Sequence, residues 1–298
     1  MPESWFVPTI AAPRRPIGRQ VFDFDRQIVV MAIVNRTPDS FFDGGRTYGL
    51  ESAVAAALAA AEAGAGWVDI GGVPFSPDTP DVAVADEIER VVPVVEAVTA
   101  VSDVVVSVDT WRADVAAACL AAGASVVNDT SGLRDPELAA VVAVSEATLV
   151  ITHSRAEPHV HLRAPRYDDV VTEVRAFLAE RIEHAVGLGV PESRIVIDPG
   201  HDLNKNTLHS LDLTRRFAEI AALGLPTLAA VSNKDFVGEA TGLAKPDRLA
   251  PSIAAAAVCA LAGARILRMH DVAASVAAAT MIECILGFRE PAFLAHNV

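Results

Sequence analysis

Short apolar runs recur along the chain, each followed by a longer, alanine-rich stretch. The clearest run is Ile28-Val29-Val30-Met31-Ala32-Ile33-Val34. It has no polar interruption, as suits a strand covered on both faces of a parallel sheet. It ends at Asn35, and Arg36-Thr37-Pro38-Asp39-Ser40 follow before Asp43-Gly44-Gly45. The rhythm predicts strands at 29–35, 67–71, 104–109, 125–129, 148–153, 194–198, 227–232 and 265–270. Helices are predicted near 50–64, 83–100, 111–122, 135–145, 168–189, 208–223, 246–262 and 271–286. The pattern repeats at roughly 30 residues, the length of one strand–crossover–strand unit.

Eight such units predict an α/β chain closed into a single-domain (β/α)8 TIM barrel. The alternative is a doubly wound open sheet. Against it, no G-x-G-x-x-G follows the first strand, and the units fill the chain with no remainder. Gly64, Gly123, Gly189, Gly224 and Gly263 each fall between a helix and the next strand, where a left-handed helix stop belongs. Residues 1–27 are read as an N-terminal extension with a short hairpin or strand closing the barrel bottom, and 28–298 as the barrel. No linker or low-complexity tract marks a second domain.

Composition changes the picture in two ways. Of 298 residues, 52% are hydrophobic, so a large core is available. The net charge of −14 argues against nucleic acid and membrane surfaces as partners, since an acidic surface repels phosphate. A local cationic pocket for a small anion remains compatible with it. Cys119, Cys259 and Cys284 lie in alanine-rich helical segments without metal-type spacing, as expected of reduced, buried thiols in a cytoplasmic protein. Met1-Pro2-Glu3 does not open a signal peptide. The longest apolar run, 253–262, is too short to span a bilayer.

The predicted strands deliver Asn35, Asp69, Asp109, Asn128 with Asp129, His153, Asp198, Ser232 with Lys234, and Arg268 with His270 to their carboxyl ends. In a barrel these converge on one mouth. A single Asp at a strand end is usually a turn former or cap. A full ring of polar termini is harder to explain that way. Acceptors (Asp109, Asn128, Asp198) beside cations (Lys234, Arg268) suit a flat heterocycle flanked by an anionic group.

With these residues in place, the sequence resembles the dihydropteroate synthase family over essentially the whole barrel. The family's motifs read here Ile33-Val34-Asn35-Arg36-Thr37-Pro38-Asp39-Ser40-Phe41, Asp69-Ile70-Gly71-Gly72, Ser107-Val108-Asp109-Thr110 and Val127-Asn128-Asp129. They continue with Ile197-Asp198-Pro199-Gly200, Ser232-Asn233-Lys234 and Arg268-Met269-His270-Asp271-Val272. The resemblance implies a pterin-type small molecule in the mouth. Asp109, Asn128 and Asp198 would read its amino-pyrimidinone edge, Lys234 would bond the ring carbonyl and nitrogen, and Arg268 would stack over the ring. Asn35, Arg268 and His270 would hold the diphosphate, with Asn35 reaching a Mg2+ ion. Asp69 and Ser232 complete the mouth. The family reaction displaces diphosphate from a hydroxymethyl-dihydropterin and joins the carbon to the amine of p-aminobenzoate. A homodimer through the last two helices is also implied.

Departures from the family pattern gather on the other half of the site. The second loop, Gly-Glu-Ser-Thr-Arg-Pro-Gly in the family, reads Gly72-Val73-Pro74-Phe75-Ser76-Pro77-Asp78 here. Phe75 stands in the Thr slot and Ser76 in the Arg slot, where a neutral hydroxyl cannot replace a bidentate cation. The family's Ser-Arg-Lys-Ser reads Ser232-Asn233-Lys234-Asp235. Asp235 would repel the carboxylate of p-aminobenzoate by on the order of 4 kcal/mol at contact. It would equally serve as a helix N-cap. Leu203 replaces a Phe, and Arg36 replaces a Val. The reading that follows is a homologue with absent or strongly reduced dihydropteroate synthase activity. A working synthase, or a pterin enzyme using another acceptor, are the alternatives. His153, His159 and His161 lack the spacing of a metal site. A Schiff-base role for Lys234 fits the surrounding motifs poorly.

Overall fold

The structure, a computed structural model, describes residues 6–36, 49–74, 79, 81–158, 160 and 162–296. Its first elements, β1 (Arg14–Ile17) and β2 (Gln20–Asp23), form an antiparallel hairpin. Gly18 at the turn has φ +58°, and a Cβ there would lie 2.8 Å from Ser125 Oγ. Only glycine lets the turn sit this close to the barrel wall.

Eight parallel strands follow: β3 (Val29–Asn35), β4 (Trp67–Gly71), β5 (Val105–Asp109), β6 (Val126–Asp129), β7 (Thr148–Thr152), β8 (Ile195–Asp198), β9 (Leu228–Ala229) and β10 (Ile266–Met269). Their order is β8-β7-β6-β5-β4-β3-β10-β9, and a parallel bridge between Ile197 and Thr227 closes the ring. The predicted TIM barrel is present. The strand predicted at 227–232 is ladder-paired only at Leu228–Ala229, so Ser232 sits in a loop.

Around the strands run α1 (Leu50–Glu62), α2 (Val84–Val101), α3 (Ala113–Ala121), α4 (Leu138–Ala143), α5 (Val170–Gly187), α6 (Thr207–Arg215), α7 (Phe217–Ala221), α8 (Asp235–Thr241), α9 (Leu249–Leu261) and α10 (Val272–Ile285). The five inter-element glycines all have positive φ, from +82° at Gly224 to +109° at Gly123. Two helical expectations change. The single helix at 208–223 is broken at Arg216, whose guanidinium is held by Asp169 at 3.0 Å and Glu219 at 2.7 Å. The short α8 was not anticipated, because Gly238 and Gly242 hide it. Gly238 leaves room for the Arg248 guanidinium, which lies 2.1 Å from where a Cβ would stand and would have to swing aside for any larger residue.

Strand alternation divides the core in two. Odd-layer residues Val29, Met31, Trp67, Val105, Val126, Val150, Val196, Leu228 and Ile266 fill the barrel interior with Ile17, Phe22 and Phe24 of the hairpin segment. The opposite faces, such as Val106, Val108, Val127, Leu149 and Ile151, pack on the helices. The N-terminal segment therefore plugs the bottom of the barrel. Arg15 fastens it there by donating 2.7 Å to the Ile195 carbonyl. Cys119 and Cys259 are buried, whereas Cys284 is half-exposed, contrary to the expectation of three buried thiols. Among the described residues no helix is long and apolar enough to cross a membrane.

Candidate functional site

The same alternation decides which strand-end side chains enter the mouth, because successive residues of a strand face opposite sides. Two steps beyond each inward residue lies the next inward one. From Met31, Trp67, Val105, Val126, Val196 and Ile266 this parity reaches Asn35, Asp69, Asp109, Asn128, Asp198 and Arg268. Asp129 and His153 have the other parity and turn toward the helices, a correction to the ring predicted from sequence. Asp129 instead caps its own loop, accepting from Ser131 N at 2.8 Å and Ser131 Oγ at 2.6 Å. His153 lies edge-on to Phe177 with ring centroids 4.8 Å apart. Its Nδ1 is 2.8 Å from Lys205 Nζ. Burial, with Lys205 beside it, pushes His153 down to about 2.

Asp69 is the hub of the mouth. Its buried carboxylate accepts from Ser107 Oγ at 2.6 Å, Asn128 Nδ2 at 3.0 Å and Arg268 Nε at 2.6 Å. Arg268 Nη2 reaches Asp109 Oδ2 at 2.8 Å. Burial works against the Arg268 charge, yet Asp69 and Asp109 outweigh it and hold its pKa above the ordinary range. Asp109 is pushed up to about 7 by burial, with Arg268 opposing and Asp69, Glu87 and Asp129 adding. Asn35 lies beside this group: a Cβ on Gly71 would be 3.2 Å from Asn35 Oδ1 and 3.7 Å from Asp109 Cβ.

Across the mouth, Asp198 Oδ1 accepts from Gly200 N at 2.7 Å. Burial raises the Asp198 pKa, and the Gly200 amide and Lys234 oppose it. Burial lowers the Lys234 pKa, with Asp202 opposing. Ser232 Oγ accepts from His270 N at 3.2 Å and lies 2.9 Å from His270 Nδ1. The structure thus gathers the acceptors Asp109, Asn128 and Asp198 with the cations Arg268 and Lys234.

The divergent positions are placed differently. Phe75 and Ser76 lie outside the described residues, as do the loop residues after Arg36 and both His159 and His161. Asp235 is not the N-cap of α8; Lys234 is, and Asp235 opens the first turn. Its side chain, 74% exposed, sits 3.3 Å from Arg248 Nη1. Solvent and Arg248 together discount the repulsion inferred from sequence. Asn233 adopts φ +56°, a left-handed conformation that Asn tolerates well. Leu203 is half-buried, and its carbonyl accepts from Lys205 Nζ at 3.0 Å. Two inward residues, Ser107 and Thr152, were missed. Strand alternation counted from Asp109 and Val150 would have found both.

An inward ring of acceptors and cations at the carboxyl face of a parallel barrel defines a site for a flat, polar small molecule. A family profile described as "Pterin binding enzyme" matches residues 31–270, and the chain belongs to that family. It is 43% identical over 277 residues to "Inactive dihydropteroate synthase 2" of Mycobacterium leprae, covering 90% of this chain and 93% of that one. It is 36% identical over 261 residues to the dihydropteroate synthase of Escherichia coli, covering 88% and 93%. Among solved structures, a Xanthomonas albilineans dihydropteroate synthase with 4-aminobenzoic acid matches at TM-score 0.84 and 41% identity, covering 92% of this chain and 98% of that one. A Yersinia pestis dihydropteroate synthase in complex with a sulfonamide drug matches at TM-score 0.88 and 34% identity, with 92% and 99% covered. The chain is a dihydropteroate synthase-like homologue.

Proposed function

We propose that the mouth binds a pterin-type small molecule and that the chain has little or no dihydropteroate synthase activity. One observation carries this reading. The pterin side is wired through Asp69, Arg268, Asp109 and Asn128, while the position where the family places a carboxylate-binding Ser is Asp235, a side chain that accepts and offers no hydroxyl donor. The mycobacterial relatives named as inactive support the same reading.

In this reading Asp109, Asn128 and Asp198 accept from the amino-pyrimidinone edge and Lys234 donates to the ring. Arg268 leaves its carboxylate partners to stack on the ring, and Asn35, Arg268 and His270 hold the diphosphate. Among the described residues no group of three His, Cys, Asp or Glu could hold a resident metal. Asn35 offers one neutral oxygen, which fits a Mg2+ that keeps its waters and substrate phosphate oxygens. When bound, Mg2+ would neutralise charge on the leaving diphosphate. A second reading, transfer to a different acceptor, is favoured by the completeness of the pterin half. A homodimer through α9 and α10 is supported by their exposed Val258, Met281 and Ile285. The net charge of −14 and three cysteines without a disulfide partner support a cytoplasmic location.

The test is incubation with hydroxymethyl-dihydropterin diphosphate, Mg2+ and p-aminobenzoate, with calorimetry of 6-hydroxymethylpterin alongside. Measurable pterin binding with only traces of dihydropteroate is expected. Turnover of about 1 s⁻¹ or faster would overturn the inactive reading. Consumption of another amine would favour the second. Asp198→Ala removes a charge-assisted acceptor and should weaken pterin binding by about 1.5–3 kcal/mol.

A further inference from the structure

Two buried side-chain atoms of the mouth have no hydrogen-bond partner among the described residues: Asn128 Oδ1 and Thr152 Oγ1. Native interiors rarely leave such atoms unpaired, and each one calls for an explanation. Asn128 has one in the pterin reading, since its Nδ2 is spent on Asp69 and its oxygen is left as an acceptor. Thr152 has none so far.

Thr152 is the last residue of β7 and pairs in register with Asp198 of β8. On the other side Asn128 of β6 pairs with Val150, one inward step below Thr152. Thr152 is 1% exposed and shares its parity with Val150, which lines the barrel interior. It therefore stands on the inner wall between two of the residues assigned to the heterocycle. A valine would fill this place with the same β-branched shape and no polar atom. A hydroxyl here is unfavourable in the empty protein and is compensated once a partner enters the mouth.

We propose that Thr152 is a specificity-determining residue, whose hydroxyl hydrogen-bonds the polar edge of a fused amino-pyrimidinone lying between Asn128 and Asp198. The proposal rests on the pterin reading above. The hydroxyl both donates and accepts, so it can serve a ring nitrogen or an N–H. With Asn128 and Asp198 as acceptors on either side, it adds to the wall a group that can donate.

The experiment is calorimetric titration of the full chain with 6-hydroxymethylpterin, using wild type, Thr152→Val and Thr152→Ser, each also melted thermally. Thr152→Val should bind roughly two- to tenfold more weakly and melt no lower than wild type, because it deletes an unpaired buried hydroxyl. Thr152→Ser should keep the affinity. Opposite effects on binding and stability are what a merely structural hydroxyl would not produce. Equal affinity in Thr152→Val would overturn the proposal, as would an equal loss in Thr152→Ser. A Thr152→Val protein that melts well below wild type would also overturn it, by revealing a partner already present without ligand. A wild type silent toward the probe would remove the pterin reading itself, and this inference with it.

Discussion

Arg36 supplies the donor that Pro93 withholds. Pro93 lies inside α2 and has no N–H, so the Glu89 carbonyl four residues earlier lacks its helical partner. Arg36 Nη1 donates to Glu89 O at 3.2 Å and to Arg90 O at 2.5 Å. Arg90 in turn donates to Gly72 O at 2.9 Å, just beyond β4. Arg36 and Arg90 together tie α2 to the carboxyl end of β4.

Arg36→Val should accordingly lower stability by about 1 kcal/mol in urea unfolding. The loss should shrink in a Pro93→Ala background, where an amide again reaches the Glu89 carbonyl. Additive effects of the two changes would contradict the pairing.

Asp109 makes stability depend on pH. Its folded pKa, about 7, lies above the ordinary Asp value of about 3.8, so the folded state holds its proton more tightly. The stabilisation from this group is full below about pH 4 and is lost as pH rises toward 7, where the unfolded state binds fewer protons. Denaturation midpoints of wild type relative to Asp109→Asn should fall across that window and level off above it. Flat differences would mean the carboxyl is already ionised at pH 4. Pterin affinity should move the opposite way, strengthening as Asp109 ionises.

Lys205 holds the loop after β8. Its Nζ contacts Gly200 O at 2.9 Å, Leu203 O at 3.0 Å and His153 Nδ1 at 2.8 Å. An ammonium donates to all three; a neutral amine donates to the carbonyls and accepts from Nδ1–H. Lys205→Met strands buried acceptors and should destabilise the fold by about 1–3 kcal/mol, read as a lower melting temperature. An unchanged melt would show that the loop rests on other contacts.

Asp235→Ser alone should recover little dihydropteroate synthesis, because the carboxylate is exposed and already beside Arg248. Exchanging 73–78 for Glu-Ser-Thr-Arg-Pro-Gly together with Asp235→Ser should yield more product than the two separate changes combined. A folded chimera that makes no dihydropteroate would refute a local cause.

The barrel was legible in the apolar runs because a parallel strand buried on both faces leaves a nearly continuous signature, as at β3; the bounds of β3 and of β4, interrupted only by Asp69, agree with expectation. The mouth was legible only up to side-chain direction. His153 and Asp129 are polar and stand at strand ends, yet a shift of one residue sends them to the helix side. Ser107 and Thr152 were passed over because each stands short of the predicted strand end, which Asp109 and His153 occupy. What remained hidden was pairing across long separations, such as Arg36 with a carbonyl of α2, which no local pattern encodes.

The shortest strand has a consequence for how the cylinder comes apart. β9 contributes two residues, and its junction with β8 rests on the single Ile197–Thr227 bridge, reinforced by Ile197 N donating 3.1 Å to Pro226 O. Every other neighbouring pair of barrel strands is laced by a longer ladder or, at β9–β10, by two residue pairs. The wall is thus a ribbon with a clasp. Sub-global opening begins where protection is thinnest, so deuterium should enter the amides at this clasp ahead of the opposite wall. Ser232 and Lys234 stand directly above the clasp, which puts one edge of the mouth on the least cooperative part of the scaffold.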